Sequence, residues 1–92
     1  MIRKIRHKGL RQFHEAGTMR GIQPQDSGKL RLLLTMLNAA NEPEDRNAPG
    51  LRLHNLKGEL KDRWYVDVDG NYRLIFKMQG DTVTEVDYRE TH

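Results

Sequence analysis

The stretch Trp64-Tyr65-Val66-Asp67-Val68-Asp69-Gly70-Asn71-Tyr72-Arg73-Leu74-Ile75-Phe76-Lys77 leaves the fold the least freedom. Two runs of alternating apolar and polar residues flank an Asp-Gly-Asn cluster, the pattern of a β-hairpin. Parity sets the turn. If Trp64, Val66 and Val68 are to face Tyr72, Leu74 and Phe76 across the ladder, the turn takes three residues, Asp69 to Asn71, because a two-residue loop would set Val66 opposite Arg73. Arg73 then falls on the other face, opposite Asp67. A cation fixed on a rigid central strand is suited to holding a phosphate, so the functional question is what gathers around it.

The other elements follow from the same kind of reading. Ile2 to Arg6 alternate thinly and predict a short edge strand defended by its own charges. A short helix is expected from about His7 to Glu15, with Leu10 and Phe13 one turn apart and Gly17 as its stop. After a loop at Gly21 to Gln23, a longer helix begins near Pro24 and runs to about Ala40. Leu30, Leu33, Leu34, Leu37 and Ala40 give it one apolar face, and Gly28 weakens its first turn. From Asn41 to Gly50 periodicity vanishes and a loop is expected. Leu51 to Gly58 reads as a short strand or an irregular lead into the hairpin, and residues 82 to 88 as the last strand. A three-residue turn at Gln79-Gly80-Asp81 would set Val86 against Leu74, Tyr88 against Tyr72, and Asp87 opposite Arg73. The fold class is therefore α+β: two N-terminal helices packed on one face of a small antiparallel sheet of three to four strands, in a single domain over residues 1–92.

Composition narrows the chemistry. At 92 residues one modest core can form, which leaves no room for a large cofactor cavity. The absence of cysteine removes disulfides, thiolate metal sites and cysteine nucleophiles. The basic start, Met1 to Lys8, is followed by no apolar run of signal-peptide or membrane length, so a cytosolic protein is expected. With 16 Lys and Arg against 13 Asp and Glu the net charge is only +3, so the distribution matters more than the sum. Arg3, Lys4, Arg6, Lys8, Arg11 and Arg20 form one basic group, and Arg52, Lys57, Lys61, Arg63, Arg73 and Lys77 a second. Two such clusters in so short a chain favour nucleic acid or an acidic protein over plain solvated faces.

On the derived register, Arg73 is flanked by Asp67 and Asp87, with Lys77, Tyr65 and Glu85 nearby and with His54, Lys57 and the tail residues Tyr88, Arg89, Glu90 and His92 within topological reach. Cleavage of RNA through its own 2′-hydroxyl needs a base, cations for the charge developing on phosphate, and an acid for the leaving oxygen. Histidine suits the proton steps and Arg73 and Lys57 the charge step. The competing reading is a cross-strand charge ladder of little energetic weight. His7 and His14 lie seven apart with no carboxylate at a useful offset, so no metal site or cofactor is expected.

Three segments in order, Ile2 to Lys8 with Gly9-Leu10, Leu53-His54-Asn55-Leu56-Lys57-Gly58, and Asn71-Tyr72-Arg73-Leu74-Ile75-Phe76 with a last strand holding Val86-Asp87-Tyr88, resemble the HigB-type toxins of the RelE/ParE superfamily. The resemblance implies the RelE-like version of the fold above and metal-independent cleavage of messenger RNA in the A site of the 70S ribosome. It also implies a cognate HigA-like antitoxin, a monomer when free, and a larger toxin–antitoxin complex. Carried over by position, His54, Lys57 and Arg73 act in phosphate binding and proton transfer; from the two basic clusters, Arg3, Lys4, Arg6, Lys8, Lys61 and Lys77 are the expected RNA-binding residues. Such toxins usually close with Asp-Tyr-His. Here either Asp87 and Tyr88 fill that motif and Arg89 replaces the histidine, or Glu90, Thr91 and His92 fill it. Two other functions fit the resemblance: a ParE-like inhibitor of gyrase, which needs neither His54 nor the tail acids, and a weakened member that mainly binds its antitoxin.

Overall fold

A computed structural model describes residues 1–39, 54–55 and 63–91. Helix α1 (Lys8–Ala16) begins where the sequence supplies a cap. The His7 ring accepts the Leu10 amide through Nδ1 at 3.0 Å, satisfying one of the amides that a helix start leaves unpaired. It ends at Gly17, whose φ of 76° is left-handed and whose amide donates to the Phe13 carbonyl at 2.9 Å. Leu10 and Phe13 are buried. Gly9 abuts the backbone of Gly21 so closely that a Cβ there has no room. A 3₁₀ turn at Pro24–Asp26 leads into α2 (Ser27–Ala39), which buries Leu30, Leu33, Leu34 and Leu37 as its spacing requires.

The four-stranded sheet runs in the order β1 (His54–Asn55), β2 (Arg63–Asp67), β3 (Tyr72–Gln79) and β4 (Thr82–Glu90), all antiparallel. The first hairpin has the expected register: Trp64 pairs with Phe76, Val66 with Leu74 and Asp67 with Arg73. Its turn is closed by a side chain, since Asp69 Oδ1 accepts the amides of Asn71 at 2.7 Å and Tyr72 at 2.9 Å.

The second hairpin departs from expectation. Gln79 pairs with Thr82, so the turn has two residues, with Gly80 at φ 61° in its first position. A bulge then shifts the ladder between Ile75 and Lys77, and Glu85 takes a φ of 53° there. Beyond it Leu74 pairs with Tyr88, Ile75 with Asp87 and Arg73 with Arg89. Val86 and Tyr88 still face the core, because the net slip from the expected register is two residues, which preserves the face. Asp87, however, lies opposite Ile75 and not opposite Arg73.

The N-terminal segment lies along β4 as two isolated parallel bridges, Ile2 to Val83 and Ile5 to Val86, in place of a continuous strand. The Arg3 and Arg6 amides each donate at 2.7 Å to the carbonyls of Val83 and Val86. Both helices and the inward face of the sheet meet in one core that includes Leu10, Phe13, Leu33, Leu37, Leu74, Phe76 and Val86. The expected loop over residues 41–50 lies outside the described residues. Among the described residues no helix is long and apolar enough to cross a membrane.

Candidate functional site

The alternation that buries Leu74 and Phe76 sends Arg73, Ile75 and Lys77 to the face turned away from the helices. Arg63, Tyr65 and Asp67 join them from β2, and Asp87 and Arg89 from β4. At the centre, the Arg73 guanidinium lies over the Tyr65 ring with its carbon 4.3 Å from the ring centroid. Its Nε stands 4.0 Å from Asp67 Oδ1, too far for a hydrogen bond, and that buried nitrogen has no hydrogen-bond partner among the described residues. A cation held against a ring, with no hydrogen-bonded carboxylate among the described residues, is prepared to take an anion.

The bulge adds a second guanidinium. Arg89 pairs directly across from Arg73, and Asp87, on the same strand, stands 4.0 Å from Arg89. Like charges directly opposite one another oppose folding unless an anion sits between them. On the other side of Arg73, the backbone of His54 pairs with Tyr65, so the histidine segment borders the strand that carries the ring. Further along, Arg63 Nη2 donates to Glu85 Oε2 at 2.9 Å, spanning β3 and fastening the bulge residue. The Arg63 guanidinium holds the Glu85 carboxyl below its ordinary range, with smaller help from Arg6 and Lys4. Lys4 and Arg6 of the basic N-terminal segment are therefore near Glu85, and Arg3 and Lys8 of the same segment are exposed. Lys77 pairs with Arg63 on one side and Thr84 on the other.

Tyr88 lies on the opposite face. It is buried, stacks on Tyr72 at 4.7 Å, meets the His7 ring edge-on at 5.5 Å, and donates its hydroxyl to Asp26. Burial, and then Asp26, push its hydroxyl pKa far above the usual phenol value. Tyr88 is thus a core residue away from Arg73, and the sheet itself separates the two. Asp26, which no sequence pattern singles out, is buried and pushed up by desolvation, with Asp69 beside it adding to the rise and the Tyr88 hydrogen bond opposing it. The tail continues along the first hairpin: the Tyr72 hydroxyl donates to Glu90 Oε1 at 3.2 Å, and the Thr91 amide to the Asn71 carbonyl at 2.9 Å. Lys57, Lys61 and His92 lie outside the described residues, and of His54 only the backbone pairing is described.

Sequence reasoning brought Arg73 and Asp67 together, as the structure does, and misplaced Asp87. It missed Arg89 as the partner of Arg73. The two-residue Gly80-Asp81 loop was the available signal, but the bulge that completes the shift has none.

Residues 3–92 match the model of a family described as RelE-like toxin of type II toxin-antitoxin system HigB. A relative called Endoribonuclease HigB, from Proteus vulgaris, is 29% identical over 92 residues, all of this chain and all of that protein. The fold resembles the crystal structure of YafQ from E. coli strain BL21(DE3), with a TM-score of 0.60 and 17% identity over 99% of this chain and 92% of the other. With two helices over an antiparallel sheet and a family match along nearly its whole length, this chain belongs to the RelE-like, HigB-type toxins of type II toxin-antitoxin systems.

Proposed function

We propose that the protein inhibits translation as a ribosome-dependent mRNA endonuclease and that the sheet face around Arg73 is its active site. The observation that carries this is the pair of arginines in register across β3 and β4, one of them fixed on Tyr65 beside the His54 strand. The name of the Proteus vulgaris relative agrees with an endoribonuclease, and the match covers both chains end to end. Membership of a type II toxin family implies an antitoxin as partner. The finer expectation is a HigA-like antitoxin, a monomeric toxin when free, and action in the cytoplasm where ribosomes are.

The chemistry needs no metal. His54 takes the proton from a 2′-hydroxyl, whose oxygen attacks the adjacent phosphorus. Arg73 and Lys57 offset the charge that develops on the non-bridging oxygens, with Arg89 in reach of the same or the next phosphate. The bond to the 5′-oxygen breaks, and an acid from the tail protonates that oxygen, leaving a cyclic phosphate and a 5′-hydroxyl. For the tail we assign only His92, to the family's closing histidine, because Glu90 pairs with Tyr72 and accepts its hydroxyl on the same side of β4 as Tyr88. The family match runs to residue 92, and Tyr88 is already committed to Asp26 on the covered face. Asp87 then serves to hold Arg89. Arg3, Lys4, Arg6, Lys8, Lys61 and Lys77 supply sequence-independent attraction to RNA phosphates.

In this reading the ribosome orders the substrate on the sheet face. In a translation extract, the purified toxin should cut mRNA on ribosomes and leave naked RNA largely intact. Arg73→Ala should lose roughly 10²- to 10³-fold in rate, the usual cost of removing a donor to a developing anion. Undiminished cutting by Arg73→Ala, or DNA breakage in cells with intact mRNA, would overturn the assignment.

A further inference from the structure

Arg73 has no strong ionic partner among the described residues, which leaves the question of what fixes its orientation. The Asp67 carboxylate is 57% exposed and stands 4.0 Å from Nε, so it supplies little more than a screened attraction. Tyr65 is the closer support. It pairs with Ile75, which makes it the diagonal neighbour of Arg73 across β2 and β3, the separation that an aromatic ring and a long side chain span together. The guanidinium carbon is 4.3 Å from its centroid, and Nε is buried there without a hydrogen bond among the described residues. The exposed part of the Arg73 side chain is therefore made of its other atoms, which is the arrangement a phosphate ligand requires. The same Tyr65 pairs in backbone register with His54.

We infer that Tyr65 is a positioning residue for catalysis: its ring, through its π face and not its hydroxyl, holds the Arg73 guanidinium in the orientation that receives the scissile phosphate. This rests on the phosphate role given to Arg73 above. An unsupported arginine samples many rotamers, and fixing one before substrate arrives lowers the barrier to the transition state without adding a contact to the RNA. The ring's attraction for the cation does not depend on the phenol oxygen, so phenylalanine should replace it and an aliphatic residue should not.

The test is single-turnover cleavage of ribosome-bound mRNA at saturating toxin, with Tyr65→Phe and Tyr65→Leu each made in the unaltered protein and in Arg73→Ala. Melting temperature is measured for all, so that rates refer to folded protein. Tyr65→Phe should cut within about twofold of the unaltered protein, and Tyr65→Leu about three- to tenfold more slowly in maximal rate, with half-saturation little changed. In the Arg73→Ala background, Tyr65→Leu should add no further loss, because the group it positions is gone. Equal losses in the two backgrounds would overturn the inference. So would full activity of Tyr65→Leu, or a Tyr65→Phe protein as slow as Tyr65→Leu, which would give the role to the hydroxyl. If Arg73→Ala alone cuts at full rate, the reading beneath the inference fails; if Arg73→Ala is slow and Tyr65→Leu is not, only the inference fails.

Discussion

On β3, Leu74 and Phe76 are fully buried against the helices, while Arg73, Ile75 and Lys77, interleaved with them, are half-buried on the other face. The two faces share one backbone and one set of ladder hydrogen bonds, and they differ in what their side chains do. The covered face is closed: Phe76, Leu74, Val83 and Val86 fill it, and its polar members, Tyr88 and Asp26, satisfy each other. The outer face carries strain and unmet charge: a non-glycine residue at positive φ, two arginines side by side, and a buried Nε with no hydrogen bond among the described residues. Features that cost stability persist where function needs them, which is why the outer face reads as the site.

The comparison predicts that damage on the covered face appears as lost stability. Phe76→Ala should have the largest effect, about 3–5 kcal/mol from lost burial and the cavity left behind, read as a lower denaturation midpoint. In a domain whose whole stability is of order 5–15 kcal/mol, a loss of that size should unfold much of the protein at working temperature. A shift no greater than that of a surface substitution would break the assignment of this face as core.

A smaller effect is expected at Asp26. Its replacement by alanine leaves the buried Tyr88 hydroxyl without its acceptor, at a cost of about 1–3 kcal/mol. Because burial raises the Asp26 pKa, its protonated form is favoured by folding. Its contribution to stability is present below the ordinary carboxylate range and is lost as pH rises through the folded value. Asp26→Asn should therefore keep most of the stability and remove that decline on the alkaline side of the carboxylate range. A melting-temperature profile against pH that is unchanged by Asp26→Asn would sink this account of the buried carboxyl.

Much of this division was legible in the sequence, because alternation determines which face a residue takes. The first hairpin could be registered completely: Asp69, Gly70 and Asn71 limit the turn, and the two apolar runs admit one parity. In the second, parity was again right, so Val86 and Tyr88 face inward as expected. Partner identity was not, since a slip of two residues preserves every face and only the turn and bulge distinguish the registers. Gly80 allowed either loop length, and Glu85 at φ 53° has no compositional signature. Asp26 was invisible for a related reason: a carboxylate after Pro24 reads as an ordinary helix start, and its burial depends on Tyr88 arriving 62 residues later in the chain.

The smallest predicted effect sharpens the boundary between the faces. The Arg63 pair holds Glu85 below its ordinary range, so the stability it contributes is present above that range and is lost as pH falls through the lowered value. Glu85→Gln should lower the melting temperature slightly at neutral pH and not at all in acid, with cleavage reduced only as far as the bulge relaxes. An equal deficit at both pH values would remove the ion pair as the cause.

The central claim is that neighbouring residues on one strand serve separate ends, and Arg73→Ala measured beside Leu74→Ala tests it most directly. Both variants are assayed for melting temperature and for ribosome-dependent mRNA cleavage per folded molecule. Leu74→Ala should lose about 2–5 kcal/mol of stability and keep its cleavage rate once folded, while Arg73→Ala should melt close to the unaltered protein and lose cleavage. If the two variants lose stability and activity in the same proportion, the faces are not functionally distinct and the account is wrong.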